Sequence, residues 1–353
     1  MHPEAGRRAT AVVARQFGSA AALASVVQAL QAEARTDCLI LGLGHAAGAW
    51  AGAGIAAQTV SSFAEALPYL LHAHPSLLVT GTSFNAQEDG HFWRWAKEQG
   101  IPSLAFVDHW VNYCQRFSSA PDRPFDCLPE HIAVLDDSMA ARLVAVGCPA
   151  DRVVVLGHPA WDDLVQRRGR CDVTLQARLA GDRVLVLFAS EPIARFYGKG
   201  LGYTEGDALS LLLAALETVG EDRKESYVVA VKPHPTEDRF ALTDRIGMAG
   251  GRVAARLVEG DRRDLISAST LVVGMNSLLL HEATIMGKPV IALQPGRLGP
   301  YDWVDHQPGI LLATDWVQAI SALHRALVGD TPVVPAPRPV IPEWIRVIDA
   351  LIG

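Results

Sequence analysis

The chain has 353 residues, which is too long for one ordinary hydrophobic core and fits two domains of about 150–180 residues each. With 50% hydrophobic and 20% charged residues, it belongs among globular rather than disordered proteins. A net charge of −7 argues against a general nucleic-acid-binding protein, which would need a basic surface to neutralise phosphates.

The five cysteines are Cys38, Cys114, Cys127, Cys148 and Cys171. Their number is odd, and no two of them have the C-x-x-C spacing, so neither a disulfide framework nor a zinc site is indicated. Because free cysteines persist in a reducing compartment, we expect a cytoplasmic protein.

Neither a signal peptide nor a transmembrane helix is predicted. The apolar stretch after Arg7 and Arg8 is interrupted by Arg15 and Gln16. Residues 38–63 lack charged side chains and are long enough to span a bilayer, but they contain five glycines. That composition favours a strand, a glycine-rich turn and a small-residue helix, and it leaves open peripheral contact with the inner face of a membrane.

Short apolar runs alternate with helical patterns along the first half, which is typical of parallel α/β structure. Strands are predicted at Thr10–Ala14, Cys38–Leu43, Ile55–Val60, Ser76–Gly81, Ser103–Asp108, His131–Asp136 and Arg152–Gly157. Helices are predicted at Ala20–Glu33, Ser62–Ala73, Glu88–Glu98 and Ser138–Val146.

The arginine-rich run 166–172 predicts a linker, so we place the domains at residues 1–168 and 169–353. In the second half, strands are predicted at Arg183–Phe188, Tyr227–Val231, Val253–Leu257, Leu271–Val273 and Pro289–Leu293. Helices are predicted at Glu205–Val219, Thr236–Gly247, Asp261–Ala268, Ser277–Met286, Asp315–Leu327 and Glu343–Leu351. The last of these is a candidate to pack back on the first domain.

Two segments of the second half carry the clearest functional pattern. Val231-Lys232-Pro233-His234-Pro235 and Gly274-Met275-Asn276-Ser277 each close a short apolar strand. Open α/β sheets bind ligands at the carboxyl ends of their strands, and a helix N-terminus binds phosphate. The pair therefore predicts a nucleotide site in the C-terminal half.

Three segments between residues 156 and 293 resemble known families. Leu156–Leu164 is similar to the G-x-P-x-x-D element of two-domain sugar-nucleotide enzymes. Lys232-Pro233-His234-Pro235 resembles the HP motif of bacterial sialyltransferases, capsule Kdo-transferase-like proteins and CDP-polyol phosphotransferases. Ser277, Glu282-Ala283 and Gly287-Lys288-Pro289-Val290 resemble a segment of GT-B glycosyltransferases. The resemblance implies two Rossmann-like α/β domains in the GT-B arrangement, with an interdomain cleft.

The chain also departs from these patterns. Asn276-Ser277 stands where a double serine is usual, and Glu88-Asp89-Gly90 only matches the spelling of the sialyltransferase general-base motif. The layout is also similar to non-hydrolysing UDP-GlcNAc 2-epimerases. Their Gly-Gly…Gln-Glu-Glu run is absent between Ser277 and Glu282, so we rank that resemblance lower.

In the second domain, the resemblance implies that His234 and the Ser277 segment bind the nucleotide phosphates and that Glu282 holds the ribose. An imidazole at a strand end can donate to phosphate and stabilise the leaving nucleotide, and Lys232 adds positive potential. The full set of predicted binding residues here is Glu191, Lys232, His234, Pro235, Asn276, Ser277 and Glu282.

In the first domain, polar residues follow predicted strands and are expected on the acceptor side. Thr82 and Ser83 follow one strand, and His158 ends another near the hinge. An inverting transfer needs a base for the acceptor hydroxyl, and Asp108 is the candidate, followed by His109 and then Asp89. Asp108, His109 and His234 are thus the predicted catalytic residues.

No metal-binding motif is present, so we expect neither a metal nor a cofactor apart from the nucleotide-sugar substrate. The leading prediction is a glycosyltransferase that moves a sugar from a CMP-activated donor, such as Kdo or a nonulosonate, to a glycan, lipid-linked or protein acceptor. The alternatives are a UDP-sugar transferase, a sugar-nucleotide 2-epimerase or hydrolase, a CDP-polyol phosphotransferase, and a non-catalytic nucleotide-sugar-binding subunit.

Overall fold

The computed structural model describes residues 8–33, 35–84, 87–234, 236–237, 239–247, 249–299, 302–305 and 307–353. Within this part, the chain forms two compact units. The first unit comprises the chain up to Asp162 together with residues 338–353, and the second comprises residues 163–337. The division falls earlier than the predicted boundary at residues 168 and 169.

The first unit contains a seven-stranded sheet in the order β3-β2-β1-β4-β5-β6-β7, and every adjacent pair is parallel. Its strands are β1 Ala9–Ala14, β2 Asp37–Leu43, β3 Gln58–Val60, β4 Leu77–Gly81, β5 Ser103–Phe106, β6 His131–Val134 and β7 Val153–Val155. The helices that follow are α1 Phe17–Ala32, α2 Ala46–Gly52, α3 Phe63–Ala73, α4 Gln87–Gln99, α5 Tyr113–Arg116 and α6 Asp137–Ala145. Helix α7 Trp161–Gln166 begins in the first unit and continues into the second.

The second unit contains a six-stranded parallel sheet in the order β10-β9-β8-β11-β12-β13. Its strands are β8 Val184–Ala189, β9 Tyr227–Lys232, β10 Val253–Leu257, β11 Leu271–Gly274, β12 Val290–Leu293 and β13 Ile310–Ala313. Its helices are α8 Val173–Ala180, α9 Ile193–Tyr197, α10 Glu205–Arg223, α11 Arg239–Ile246, α12 Arg262–Ala268, α13 Leu278–Ile285, α14 Asp302–Asp305 and α15 Trp316–Leu327.

Burial explains why short apolar runs identify these strands. All four residues of β5 and of β11 are buried, as are the last five of β8. A parallel sheet covered by helices on both faces excludes water from both sides of its central strands, so these strands are continuously apolar. The predicted fold class, two Rossmann-like α/β domains, is confirmed.

Several elements differ from the sequence prediction. The strand β13 was not predicted, because Ile310–Ala313 is short and only partly buried. Helix α8, which directly follows the predicted linker run 166–172, was not predicted; its capping residue is Asp172, whose carboxylate accepts the N–H of Leu175 at 2.9 Å. The strand predicted to reach Asp108 ends at Phe106, and the one predicted to reach Asp136 ends at Val134.

The final helix, α16 Ile341–Ile352, belongs to the first unit. Its Trp344 is fully buried, packs edge-on against Phe106 with ring centroids 5.4 Å apart, and donates its indole N–H to the Gly157 carbonyl at 3.1 Å. The Asp162 carboxylate accepts the N–H groups of Val340 and Ile341 at 2.8 and 3.2 Å. The Gly157–Asp162 segment that resembles a G-x-P-x-x-D element therefore anchors the start of this helix.

Because Gly157 has no side chain, Val340 can pack closely against it. The contribution of this contact to stability can be tested by adding a methyl group at Gly157. It has φ +76°, and a Cβ there would lie 2.5 Å from Cγ1 of Val340. We expect Gly157→Ala to lower the free energy of unfolding by about 1–3 kcal/mol more than backbone strain alone, because the added methyl overpacks the contact. The measurement is urea denaturation of each variant.

Gly100→Ala is the matched control for this prediction. Gly100 lies in the same unit with φ +66° and has open space where a Cβ would stand. It therefore carries a similar backbone strain without the overpacking. Equal losses in the two variants would contradict the proposed role of the Gly157–Val340 contact.

Candidate functional site

The second sheet brings the predicted nucleotide-binding segments to one edge. Strand β8 lies between β9 and β11. After β8 the chain adds β9 and β10 on one side of it, and then adds β11, β12 and β13 on the other side. The carboxyl ends of parallel strands at such a switch point form the usual ligand-binding position of an open α/β sheet. Here the loops after β8, β9 and β11 carry Glu191, His234 and Asn276, respectively.

Glu191 is bonded to the loop after β11. Its Oε1 atom accepts the backbone N–H of Asn276 at 2.6 Å, and the neighbouring backbone N–H groups of Met275 and Ser277 lower its pKa. Burial raises the pKa of Glu191 to about 7, an increase that these hydrogen bonds oppose and that the charge of Glu237 reinforces. An internal carboxylate thus holds the turn that was predicted to hold phosphate.

His234 and Lys232 lie at the end of β9. The His234 side chain is exposed, and its Nδ1 atom accepts the backbone N–H of Thr236 at 3.3 Å, so the neutral ring carries its proton on Nε2. Nearby protein atoms remove part of the His234 ring from water, and this desolvation, together with the charge of Lys232, lowers the pKa of His234. The structure therefore places a hydrogen-bond donor and a cation together at the sheet edge. The neighbouring Pro235 lies outside the described residues.

Glu237 completes this loop and was not predicted as a site residue. Its two carboxylate oxygens accept the Ser190 hydroxyl at 2.5 Å and the backbone N–H of His234 at 2.9 Å. Burial raises its pKa. Glu237 therefore links the end of β8 to the loop that carries His234. The sequence signal that could have identified it was its position three residues after His234.

Asn276 is held by a buried polar network. Its side-chain amide donates to the Tyr203 hydroxyl at 3.0 Å, and its Oδ1 atom accepts from Gln294 at 2.7 Å. Arg297 extends the network, because it donates to Gln294 at 3.2 Å and forms an ion pair with Asp305 at 2.7 Å. Both ends of the Asn276 amide are thus engaged within the second unit, and its backbone N–H is bonded to Glu191.

Ser277 and Glu282 have clear structural partners. The Ser277 hydroxyl caps α13 by accepting the N–H of Leu279 at 3.3 Å. Glu282 is 1% exposed and forms a two-point ion pair with Arg262, at 2.6 and 2.9 Å. A ribose contact by Glu282 would therefore have to compete with Arg262 for its carboxylate.

The first sheet has its own polar edge, around Thr82 and Ser83. The Thr82 hydroxyl donates to the Phe106 carbonyl at 3.0 Å, and the Ser83 backbone N–H donates to Oδ2 of Asp89 at 2.7 Å. The Ser83 hydroxyl is buried and has no hydrogen-bond partner among the residues that the structure describes. Burial raises the pKa of Asp89 to about 6, against the opposing charges of Arg15 and Arg116.

Asp108 lies beside this cluster and is paired with Arg116. The guanidinium of Arg116 donates to Asp108 at 3.0 Å and to the Thr82 hydroxyl at 2.8 Å. A Cβ on Gly18, in the first turn of α1, would lie 3.2 Å from the other Asp108 oxygen. The carboxylate therefore lies next to a positive helix end as well as a cation.

The two predicted histidines of the first unit differ in exposure, since His158 is buried and His109 is partly buried. Burial lowers the pKa of His109 to about 4, so its ring is neutral at neutral pH. His158 accepts the N–H of Ala160 on its Nδ1 atom at 3.2 Å and stacks on Trp161 with ring centroids 5.5 Å apart. His158 therefore has a packing function in the first unit.

Sequence reasoning missed two arginines at this edge. Arg15 directly follows β1, and its charge lowers the pKa of Asp89, so it belongs to the same cluster. Its position after a predicted strand was the available signal. Arg116 lies in the four-residue helix α5, in a loop without a recognisable motif. Only the fold shows that it links Asp108 to Thr82.

In the described part of the chain, no group of three or more histidine, cysteine or acidic residues is arranged to hold a metal ion. No helix among those residues is long and apolar enough to cross a membrane.

Comparison with known proteins gives structural but not sequence relatives. No protein-family model and no curated protein sequence matches the chain. The structure is similar to the UDP-GlcNAc 2-epimerase from Methanocaldococcus jannaschii, with 12% identity, TM-score 0.70 and coverage of 97% of this chain and 99% of that one.

Two further similar structures contain ligands. The Neisseria meningitidis UDP-GlcNAc 2-epimerase bound to UDP-GlcNAc has 13% identity, TM-score 0.68 and coverage of 98% and 100%. The S. aureus MnaA structure with UDP has 13% identity, TM-score 0.67 and coverage of 98% and 97%. At these identities, the likeness establishes the fold.

The prediction of a CMP-sugar glycosyltransferase is wrong. The similar structures include UDP-GlcNAc 2-epimerases, which the sequence analysis had ranked below the transferases. The incorrect prediction of a CMP-sugar donor rested on the HP motif. A histidine and a lysine beside prolines place a hydrogen-bond donor and a cation at a strand end, but they do not specify which nucleotide binds there. The resemblance to sialyl- and Kdo-type transferases is not supported.

The buried Asp89 gives a prediction for stability. Its folded-state pKa is above the ordinary value, so between pH 4 and 6 the folded protein binds more protons than the unfolded chain, and its ionisation destabilises the fold as pH rises. We expect Asp89→Asn, which keeps an acceptor for the Ser83 N–H, to gain up to about 2–3 kcal/mol relative to wild type across this range.

The measurement is urea unfolding of both proteins at pH 4, 5, 6 and 7. Glu98→Gln, at an exposed position of the same helix α4, is the control and should show no such trend. A stability difference between Asp89→Asn and wild type that does not change with pH would contradict the interpretation.

Proposed function

We propose that this protein inverts carbon 2 of the sugar in a UDP-activated 2-acetamido sugar. The observation that carries the proposal is the similarity to UDP-GlcNAc 2-epimerases over nearly the whole of both chains. One of those enzymes is bound to UDP-GlcNAc, so the expected substrate is a nucleotide sugar, and no separate acceptor is needed.

Inversion at carbon 2 requires one group that removes its proton and one that returns a proton to the opposite face. No carbonyl group is adjacent to hold the electron pair, so the pair forms a double bond to carbon 1 while the bond from carbon 1 to the diphosphate breaks. The leaving diphosphate carries negative charge that donors must stabilise, and it adds back to carbon 1 when the proton is returned. Carboxyl groups suit the proton transfers, and cationic or N–H donors suit the phosphates. The two units carry one of these sets each.

The first unit supplies the candidate acid–base groups. We propose Asp108 as the base, because its carboxylate is fixed by Arg116 and lies beside the N-terminal turn of α1. Thr82 and Ser83 are hydroxyl groups of the same edge, and we assign them to the sugar. The pKa of His109 is lowered to about 4, so its ring is a weak base, and we rank it below Asp108.

The second unit supplies the candidate diphosphate site. The exposed imidazole of His234 and the ammonium group of Lys232 lie together at the carboxyl end of β9. The turn before α13 offers backbone N–H groups at the start of a helix. We assign the phosphates to these groups and the nucleoside to the adjacent loops of the same sheet edge.

The reaction itself gives the first test. Incubation with UDP-GlcNAc in D2O should replace the hydrogen on carbon 2 with deuterium and produce the manno epimer, because an epimerase exchanges that proton with solvent. Proton NMR follows both changes. We expect Asp108→Asn to slow the exchange by at least about 100-fold, the scale of general-base catalysis.

Asp151→Asn, at an exposed carboxylate of the same unit, is the matched control and should leave the rate unchanged. Release of free sugar without exchange at carbon 2 would indicate a hydrolase instead. Binding of UDP-GlcNAc with neither outcome would indicate a non-catalytic nucleotide-sugar-binding protein.

The phosphate assignment gives a second test. A hydrogen bond from His234 to a charged phosphate is worth about 1.5–3 kcal/mol, so His234→Gln should weaken UDP binding roughly 10- to 150-fold. Isothermal titration calorimetry at pH 7 measures this. His324→Gln, in the same unit but on α15, is the control. A loss of less than about twofold for His234→Gln would overturn the assignment.

A further inference from the structure

The turn that precedes α13 already holds an anion. The backbone N–H of Asn276 donates to Oε1 of Glu191 at 2.6 Å, and the adjacent N–H groups of Met275 and Ser277 favour the ionised form of that carboxylate. Backbone N–H groups bound to a carboxylate form short, charge-assisted hydrogen bonds. In the free protein, Glu191 therefore occupies the position at which a helix N-terminus would receive a phosphate oxygen.

A ligand phosphate and the ionised Glu191 cannot share these donors. Each backbone N–H makes one strong hydrogen bond, and two negative groups at that distance repel each other. The Asn276 side chain offers no simple substitute, because its two ends are bonded to Tyr203 and Gln294. A phosphate that binds at this turn must displace the carboxylate or neutralise it.

We propose that Glu191 is an internal competitor of the ligand diphosphate: when the ligand binds, Glu191 releases the Asn276 N–H and takes up a proton. The inference rests on the proposed function only for the identity of the ligand. It identifies Glu191 as the residue that couples nucleotide-sugar binding to pH.

The surroundings of Glu191 allow its carboxylate to be protonated near neutral pH. Burial and the charge of Glu237 raise its pKa to about 7, while the three N–H groups oppose the increase. The other charged or titratable groups of the loops and helices at this edge are Lys232, His234, Arg195, Tyr203, Glu205, Arg297 and Asp305. Of these, His234 has a lowered pKa, so its protonation belongs to a more acidic range.

The sign of the effect follows from linkage. Below pH 7, Glu191 is protonated in the free protein, and binding needs no additional proton. Above pH 7, binding must take up one proton, so the affinity falls by up to tenfold for each further pH unit. The affinity for a ligand of constant charge should therefore be level from pH 6 to 7 and about 30-fold lower at pH 8.5.

UDP-GlcNAc is a suitable probe, because its diphosphate is esterified at both ends and keeps the same charge over this range. Calorimetric titrations at pH 6.0, 7.0, 8.0 and 8.5, each in two buffers of different ionisation enthalpy, give both the affinity and the number of protons taken up. We expect uptake to approach one proton at pH 8.5 in wild type and to vanish in Glu191→Gln.

Two further variants separate Glu191 from other causes. Glu221→Gln, at an exposed position of α10, should titrate like wild type. His234→Gln should bind more weakly at every pH but keep the proton uptake above pH 7. A thermal melt of Glu191→Gln checks that the second unit is folded.

Wild type that binds UDP-GlcNAc without proton uptake would overturn the inference, as would Glu191→Gln with the wild-type dependence on pH. Proton-linked binding without exchange at carbon 2 would support this inference and contradict the proposed function. Exchange at carbon 2 without proton linkage would do the reverse. No binding by either protein at any pH would overturn both.

Discussion

Parallel pairing of buried strands is the constraint on which the rest of this structure depends. Central strands such as β5, β8 and β11 are buried on both faces and can carry almost no polar side chains. All strands of a parallel sheet end at the same edge, so polar groups concentrate in the loops that leave that edge. The Asp108–Arg116 pair and the Glu191 contacts both lie at such an edge, one in each unit.

The same constraint explains what could be predicted from the sequence. Continuous apolar runs located all of the central strands, and the residues just after them included Thr82, Asp108, Glu191, His234 and Asn276. The short, half-buried β13 gave no comparable signal, nor did Arg116 in its irregular loop. Hydrogen-bond partners were beyond sequence reasoning, because whether Glu282 meets a ribose or Arg262 depends on residues twenty positions apart.

The incorrect choice of reaction has a related cause. A strand-end histidine and lysine indicate where an anion can bind, whereas the reaction depends on which carbon atom of the ligand faces an acid or base. That geometry comes from many loops that share no short motif. The comparison of whole structures was informative here because it weighs the arrangement of the entire chain, and at 12–13% identity only that arrangement is preserved.

The placement of α16 has a consequence for how the protein is made. The first unit needs residues from both ends of the chain, including Trp344, whereas the second unit is a continuous insertion within it. On the ribosome, the second unit can fold as soon as it emerges, but the first cannot be completed until α16 has emerged as well. Until then, Phe106 and Gly157 lack their partner Trp344, and the half-built first unit exposes apolar surface of the kind that chaperones bind.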